Sequence, residues 1–263
     1  MPTLKRLDIL DYNTFLDKCE PLAPLQGSDH GEWVGGLGYS KLLTLARRGD
    51  ETLAGQAEKY LTAFDGLTLP DAYTGKWSSA PTGAYACIPE YVAGHPSCMR
   101  QRTRLVSDRA PLHAYVQLGA SAGRTASKIM TRNTAVLALV MIINRYRPVE
   151  LTVLNDSTTG RGRQGDYVAI AVRIPGPPFS LAHASVALGH VGFLRHPMHT
   201  YMVRVLGVNP AIPLIKDSVE IKSALGVTSH DLFIGKGEED FKAVLANPAA
   251  WVQAQVNKYL EIE

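Results

Sequence analysis

The residues best placed to do chemistry are Gly119-Ala-Ser121-Ala-Gly123. They follow the apolar run 112–118 and precede a long apolar segment, which is the order strand, glycine turn, helix. In an open α/β sheet such a turn lies at the carboxyl end of a strand, where ligands usually bind. The same residues match the pattern G-x-S-x-G, in which a serine on a tight turn acts as a nucleophile.

Ser121 could therefore serve a serine hydrolase, with Asp156 as the acid and one of the later histidines as the base. That class of fold places several strands before the serine, and residues 1–110 offer no convincing run of them. A loop of the HGGG type, which would bind an oxyanion, is absent from the sequence as well. We therefore expect Ser121 to be structural and the protein to be non-enzymatic, and we keep hydrolysis as an alternative.

The same loop has two other chemical interpretations. In von Willebrand factor A domains the corresponding loop reads D-x-S-x-S and its oxygens bind Mg²⁺, but here Gly119 and Gly123 replace the aspartate and the last serine. Backbone N–H groups at the helix start could instead cradle phosphate, helped by Arg124, Lys128 and Arg132. A purely structural turn between strand and helix is the simplest interpretation.

Histidines and cysteines raise the question of zinc. His95 and Cys98 are close in sequence, and His183 and His190 would share a helical face. No C-x-x-C element accompanies them, and the three cysteines cannot all pair. We expect reduced, mostly structural thiols, no zinc or magnesium site needed for folding, and no cofactor.

Positive charge is concentrated in the middle of the chain. Residues 100–173 contain 12 Lys or Arg and four acidic residues, a net charge of +8, whereas the rest of the chain carries −5. Such a region suits a polyanion, whose phosphates give affinity through counterion release and whose unpaired bases can stack on aromatic side chains. Alternatively, the arginines pair with the acidic flanks. The side chains predicted to contact nucleic acid are Arg100, Arg102, Arg104, Arg124, Lys128, Arg132, Arg161, Arg163, Tyr85 and Tyr91.

The elements that must position these residues divide the chain near residue 110. Residues 1–110 predict a helical and loop-rich region, with short helices near 11–19, 40–48 and 51–64. Residues 111–263 predict an α/β core with strands at 112–118, 149–154, 167–174 and 201–206. Helices are predicted at 125–146, 179–194, 217–225 and 238–259, the last broken at Asn247-Pro248.

The alternation of strands and helices predicts a mainly parallel sheet with helices on both faces, von Willebrand A-like or Rossmann-like. The longest apolar run, 135–143, has about half the length that a bilayer requires, so we expect a buried helix and no membrane partner. The N-terminus lacks the apolar core of a signal peptide, which favours a cytoplasmic location.

A series of short motifs runs from about Trp33 to about Tyr201. As a set they resemble a family of uncharacterised phage and prophage proteins. The resemblance implies a viral or prophage origin and a von Willebrand A-like core, and it implies no activity. That family often has Arg-Gly on the first helix of this core, where this chain has Arg132-Asn133. The motifs are Trp33-Val-Gly-Gly36, Gly38-Tyr39-Ser40-Lys-Leu-Leu43, Arg48-Gly49, Gly83-Ala-Tyr85, Pro89, Ala93-Gly94-His-Pro96, Met99, the strand that ends at Ser121 and the helix that contains Arg132-Asn133.

From these observations we expect a phage-encoded accessory protein of the host cytoplasm or the virion. It would bind nucleic acid, single-stranded DNA being one candidate, or a complex containing nucleic acid during transcription, replication or packaging. Two alternatives stay open. The first is a protein–protein interaction module of a virion or host-takeover assembly, and the second is a serine hydrolase using Ser121.

Overall fold

The structure is a computed structural model of the 263-residue chain. It describes residues 3–25, 31, 33–55, 77–81, 85–102, 111–119, 124–158, 166–176, 180–208, 219–236 and 238–260. The chain divides into two compact units, a larger one of residues 1–67 and 111–263 and a smaller one of residues 68–110.

The described strands, in chain order, are β1 (Leu4–Asp11), β2 (Trp77–Ala80), β3 (Tyr85–Ala86), β4 (Met99–Arg102), β5 (Leu112–Gln117), β6 (Val149–Thr158), β7 (Tyr167–Arg173) and β8 (Leu232–Ile234). The helices are α1 (Tyr12–Cys19), α2 (Tyr39–Arg48), α3 (Ile88–Val92), α4 (Ala126–Tyr146), α5 (Leu181–Gly189), α6 (Val191–Phe193), α7 (His199–Arg204), α8 (Val219–Leu225), α9 (Glu238–Ala246) and α10 (Pro248–Leu260). Residues 51–55 are also helical, and Leu194–Met198 form a π-helical turn.

The larger unit is a mixed α/β structure built on a five-stranded sheet of order β1-β7-β6-β5-β8. Three of its neighbouring pairs are parallel, and β6 with β7 is antiparallel. The sheet is thus mostly parallel, as the alternating pattern predicts. Residues Tyr167 to Val172 of β7 are buried at every position, so helices and loops cover both faces of the sheet at this strand.

Helix α4 connects β5 to β6 and forms much of the core. Its N-cap Thr125 accepts a hydrogen bond from the Lys128 N–H, and the side chains from Ala135 to Val140 are at most 2% exposed. By length and composition α4 is the one described helix that could cross a membrane, but 67% of its apolar window is buried inside the protein. It is a core helix, as expected.

The first residues of the predicted N-terminal region belong to the main sheet. Strand β1, which the sequence analysis missed, pairs in parallel with β7 and adds an edge to the main sheet. The two compact units of the chain therefore differ from the predicted regions, residues 1–110 and residues 111–263. Among its described residues, the smaller unit, residues 68–110, contains a three-stranded antiparallel sheet of order β2-β4-β3.

The predicted strand at 201–206 is wrong. Residues 199–204 are α7, which follows α5, α6 and the π-helical turn. Pro197 lies inside that turn, where the wider hydrogen-bonding pattern accommodates a residue that has no N–H.

Candidate functional site

A buried polar cluster lies at the carboxyl ends of β5, β6 and β8. The Lys236 ammonium is 2.5 Å from Asp156 Oδ2, and the two side chains are only 4% and 2% exposed. The Gln117 side chain donates from Nε2 to Asp156 Oδ1 at 3.1 Å. Its Oε1 accepts a hydrogen bond from the backbone N–H of Lys236 at 3.3 Å. The three residues therefore hold one another through a closed set of polar contacts.

The sheet positions this cluster. Gln117 ends β5, Asp156 lies on the neighbouring β6, and Lys236 comes two residues after β8, which pairs with β5 through Val116 and Ile234. Burial lowers the pKa of the Lys236 ammonium, and the adjacent Asp156 carboxylate opposes that shift. A charge so enclosed is stable only with its counterion. The cluster therefore joins three strand ends and leaves its charged atoms inaccessible to a substrate.

Asp156 has another role than the one predicted. The hydrolase interpretation made it the acid of a Ser121 triad, but its carboxylate is occupied by Lys236 and Gln117. Lys236 and Gln117 were not singled out from the sequence. The sequence feature that could have located Lys236 is the apolar run Leu-Phe-Ile before Gly235. With three residues, this run is too short to be identified as a strand.

The glycine loop lies partly beyond the described residues. Gly119 is buried, whereas Ser121, its neighbours 120 and 122, and Gly123 fall in a part that the structure does not describe. The hydrolase, metal and phosphate interpretations of that loop therefore stay predictions.

The basic side chains after the loop have different environments. Arg132 is 1% exposed and donates to Gly235 O at 2.7 Å and to Asn133 Oδ1 at 3.0 Å. The Arg124 guanidinium lies 3.7 Å from the centroid of the Phe241 ring. Lys128 is exposed on the first turn of α4. The prediction that Arg132 contacts nucleic acid is therefore wrong, because its guanidinium is enclosed and joins α4 to the end of β8.

Two of the histidines considered for zinc, His183 and His190, make hydrogen-bonding contacts with neighbouring residues. Ser180 Oγ lies 2.6 Å from His183 Nδ1, and His190 Nδ1 accepts the Gly192 N–H. His183 and His190 do not share one helix, because α5 ends at Gly189. Among the described residues, no group of three or more His, Cys, Asp or Glu is arranged to hold a metal ion.

The small sheet contains three of the predicted residues, Tyr85, Arg100 and Arg102. In the backbone register, β4 is central and Arg102 pairs with Trp77, while Arg100 pairs with Ser79 on one side and Tyr85 on the other. Directly paired positions lie on the same face of a sheet, and so do positions two residues apart on one strand. One face therefore carries all five of these positions, which we call the Arg/aromatic face.

An acidic side chain, that of Glu90, lies next to this face. Ser79 is exposed and its Oγ donates to Glu90 Oε2 at 3.3 Å. Tyr91 on α3 is 67% exposed. Trp77 was not singled out from the sequence. Arg104, Arg161 and Arg163 fall outside the described residues.

The fold and these two sites define a mixed α/β protein with a closed ionic cluster at its strand ends and a separate small antiparallel sheet. One protein family matches most of the chain. Residues 5–245 match a family described as a domain of unknown function, DUF7192, and the protein belongs to that family. No curated protein and no solved structure matches the chain.

Proposed function

We propose that the protein binds single-stranded nucleic acid through the Arg/aromatic face of the small sheet. The observation that carries the proposal is the register of β4, which places Arg100 and Arg102 on the same face as Trp77 and Tyr85. Guanidinium groups attract backbone phosphates, and aromatic rings stack on unpaired bases. A sheet whose register puts arginine and aromatic positions on one face suits a single strand better than a duplex, whose bases are already stacked.

The strand ends of the larger unit also favour nucleic-acid binding by the small sheet, because the usual ligand position in the larger unit is occupied. Counted from β5, four of the five strands have the order 3-2-1-4, and β1 lies beyond the third of them. The third strand, β7, and its parallel neighbour β1 run opposite to the other three. In doubly wound sheets ligands bind at the carboxyl ends of the strands, where the order changes direction. Here that place, between β5 and β8, holds the buried Lys236–Asp156 pair. Because the buried Lys236 ammonium occupies the place where a ligand would bind, the small sheet is the better candidate for the nucleic-acid-binding surface.

We propose in addition that the larger unit is a von Willebrand A-like core. The support is the reversed direction of β7 and β1, which distinguishes the sheet from one whose strands are all parallel. With the motif resemblance of residues 33–201, this fits a phage accessory protein that acts on nucleic acid or on a complex containing it, in the host cytoplasm or the virion. Activity of this kind needs no catalytic residue and no cofactor.

The proposal predicts a preference that a binding titration can measure. Fluorescence anisotropy with labelled oligothymidine and with a duplex of the same length should show tighter binding of the single strand. The affinity should fall as salt rises, with a log–log slope of about −0.7 for each phosphate contacted on a single strand. No binding at low ionic strength would overturn the proposal and make the protein–protein interaction module the leading alternative. A clear duplex preference would place the interface elsewhere.

A further inference from the structure

Cys87 and Cys98 face each other across the small sheet. The Cys87 N–H donates to Cys98 O at 2.7 Å, which continues the pairing of Ala86 with Met99 by one more residue. Opposed residues in such a hydrogen-bonded antiparallel pair have Cα atoms about 5.5 Å apart. Disulfides join Cα atoms separated by about 4.4–6.8 Å, so this pair lies within the range that a disulfide spans.

The connecting segment holds the two cysteines in place while both are reduced. Helix α3 begins directly after Cys87, whose carbonyl accepts the Tyr91 N–H at 2.9 Å. The turn that follows is fixed by the His95 N–H, which donates to Glu90 O at 2.9 Å, and by the Ser97 N–H, which donates to His95 Nδ1 at 3.2 Å. Closing the disulfide therefore requires little change of the backbone.

The third cysteine differs from this pair. Cys19 is completely buried, and burial raises the pKa of its thiol to about 12. Because the thiolate is the reactive form, Cys19 is inert to mild oxidants. Cys87 and Cys98 are reduced and only half-buried, so small oxidants reach them.

We propose that Cys87 and Cys98 form a reversible intramolecular disulfide, which makes the small unit an oxidation-sensitive part of the protein. With oxidised glutathione, one cysteine thiolate attacks a glutathione sulfur and releases one glutathione thiolate. The second cysteine thiolate attacks the mixed disulfide and releases the other. The two cysteines lose two electrons, which reduce the glutathione disulfide, and their two protons pass to the released thiolates.

The test is oxidation of the reduced full-length protein with oxidised glutathione, followed by alkylation of the remaining thiols in denaturant and peptide mapping. We expect a peptide cross-linked between Cys87 and Cys98, lighter by two hydrogen atoms than its reduced parts, with Cys19 alkylated. Dithiothreitol should restore both thiols. The Cys19→Ser variant should give the same cross-link. The Cys87→Ser and Cys98→Ser variants should carry a glutathione on the remaining partner instead.

Hydrogen exchange supplies a second readout that does not depend on the variants folding. Amides of residues 85–102 should exchange more slowly in the oxidised wild-type protein than in the reduced one, because the disulfide limits opening of the hairpin. Wild-type protein in which glutathione stays attached to Cys87 or Cys98 without a cross-link would overturn the proposal. Disulfides between two chains in place of the intramolecular one would do the same.

Discussion

Replacing Lys236 by methionine should destabilise the protein by about 3–5 kcal/mol, because the change leaves the Asp156 carboxylate buried without its counterion. The two groups are 2.5 Å apart and almost completely enclosed, so water cannot take the place of the ammonium. Asp156→Asn should be destabilising for the converse reason. Urea denaturation followed by circular dichroism gives the free energy of unfolding of each variant.

The double variant Asp156→Asn/Lys236→Met tests whether the two charges act as a pair. Removing both leaves no isolated buried charge, so its loss of stability should be clearly smaller than the sum of the two single losses. Lys128→Met is the matched control, since this lysine is exposed on α4 and its loss should change stability by about 0.5 kcal/mol or less. Additive single effects would show that Lys236 and Asp156 do not interact as the structure indicates.

The double variant Arg100→Ala/Arg102→Ala should weaken binding of oligothymidine by about tenfold or more, because each guanidinium is expected to hold a phosphate through charge-assisted hydrogen bonds. The log–log salt slope should become shallower by about 1.4, the contribution of two phosphates on a single strand. Both quantities come from the anisotropy titration repeated at several salt concentrations.

A charge-matched control separates a local contact from the general effect of net charge. Arg48 and Arg204 are exposed in the larger unit, and changing both to alanine removes the same charge. That variant should bind nearly as well as the wild type. Trp77→Ala should weaken binding without changing the salt slope, since stacking releases no counterions. If the Arg48/Arg204 variant loses as much affinity as the Arg100/Arg102 variant, the small sheet is not the interface.

Much of the core could be predicted from the sequence because its pattern is strong. The apolar runs of β5, β6 and β7 and the long segment of α4 appear where the pattern predicts them. Strand β1 was missed because it is an edge strand with a polar, partly exposed sequence, and only pairing with the distant β7 makes it part of the sheet. Residues 201–206 are rich in strand-forming types, yet residues 201–204 belong to α7, the last of a series of helical elements that begins at Leu181.

The candidate sites were predictable to different degrees. The charge distribution of the sequence singles out Arg100 and Arg102, which the structure places on β4. The partners of these arginines could not be derived, because Trp77 and Tyr85 reach the same face only through the pairing of three strands. Lys236 meets Asp156 from a position 80 residues away in the chain. No local pattern carries information on contacts of that kind.

The most direct test of the central claim is photochemical cross-linking of oligothymidine to the full-length protein, with the attached peptides identified by mass spectrometry. The measurement is made at a salt concentration where anisotropy shows saturated binding. The account predicts that adducts concentrate in residues 77–102 and decrease in the Arg100→Ala/Arg102→Ala variant. Adducts confined to residues 111–260, with none on the small sheet, would contradict it.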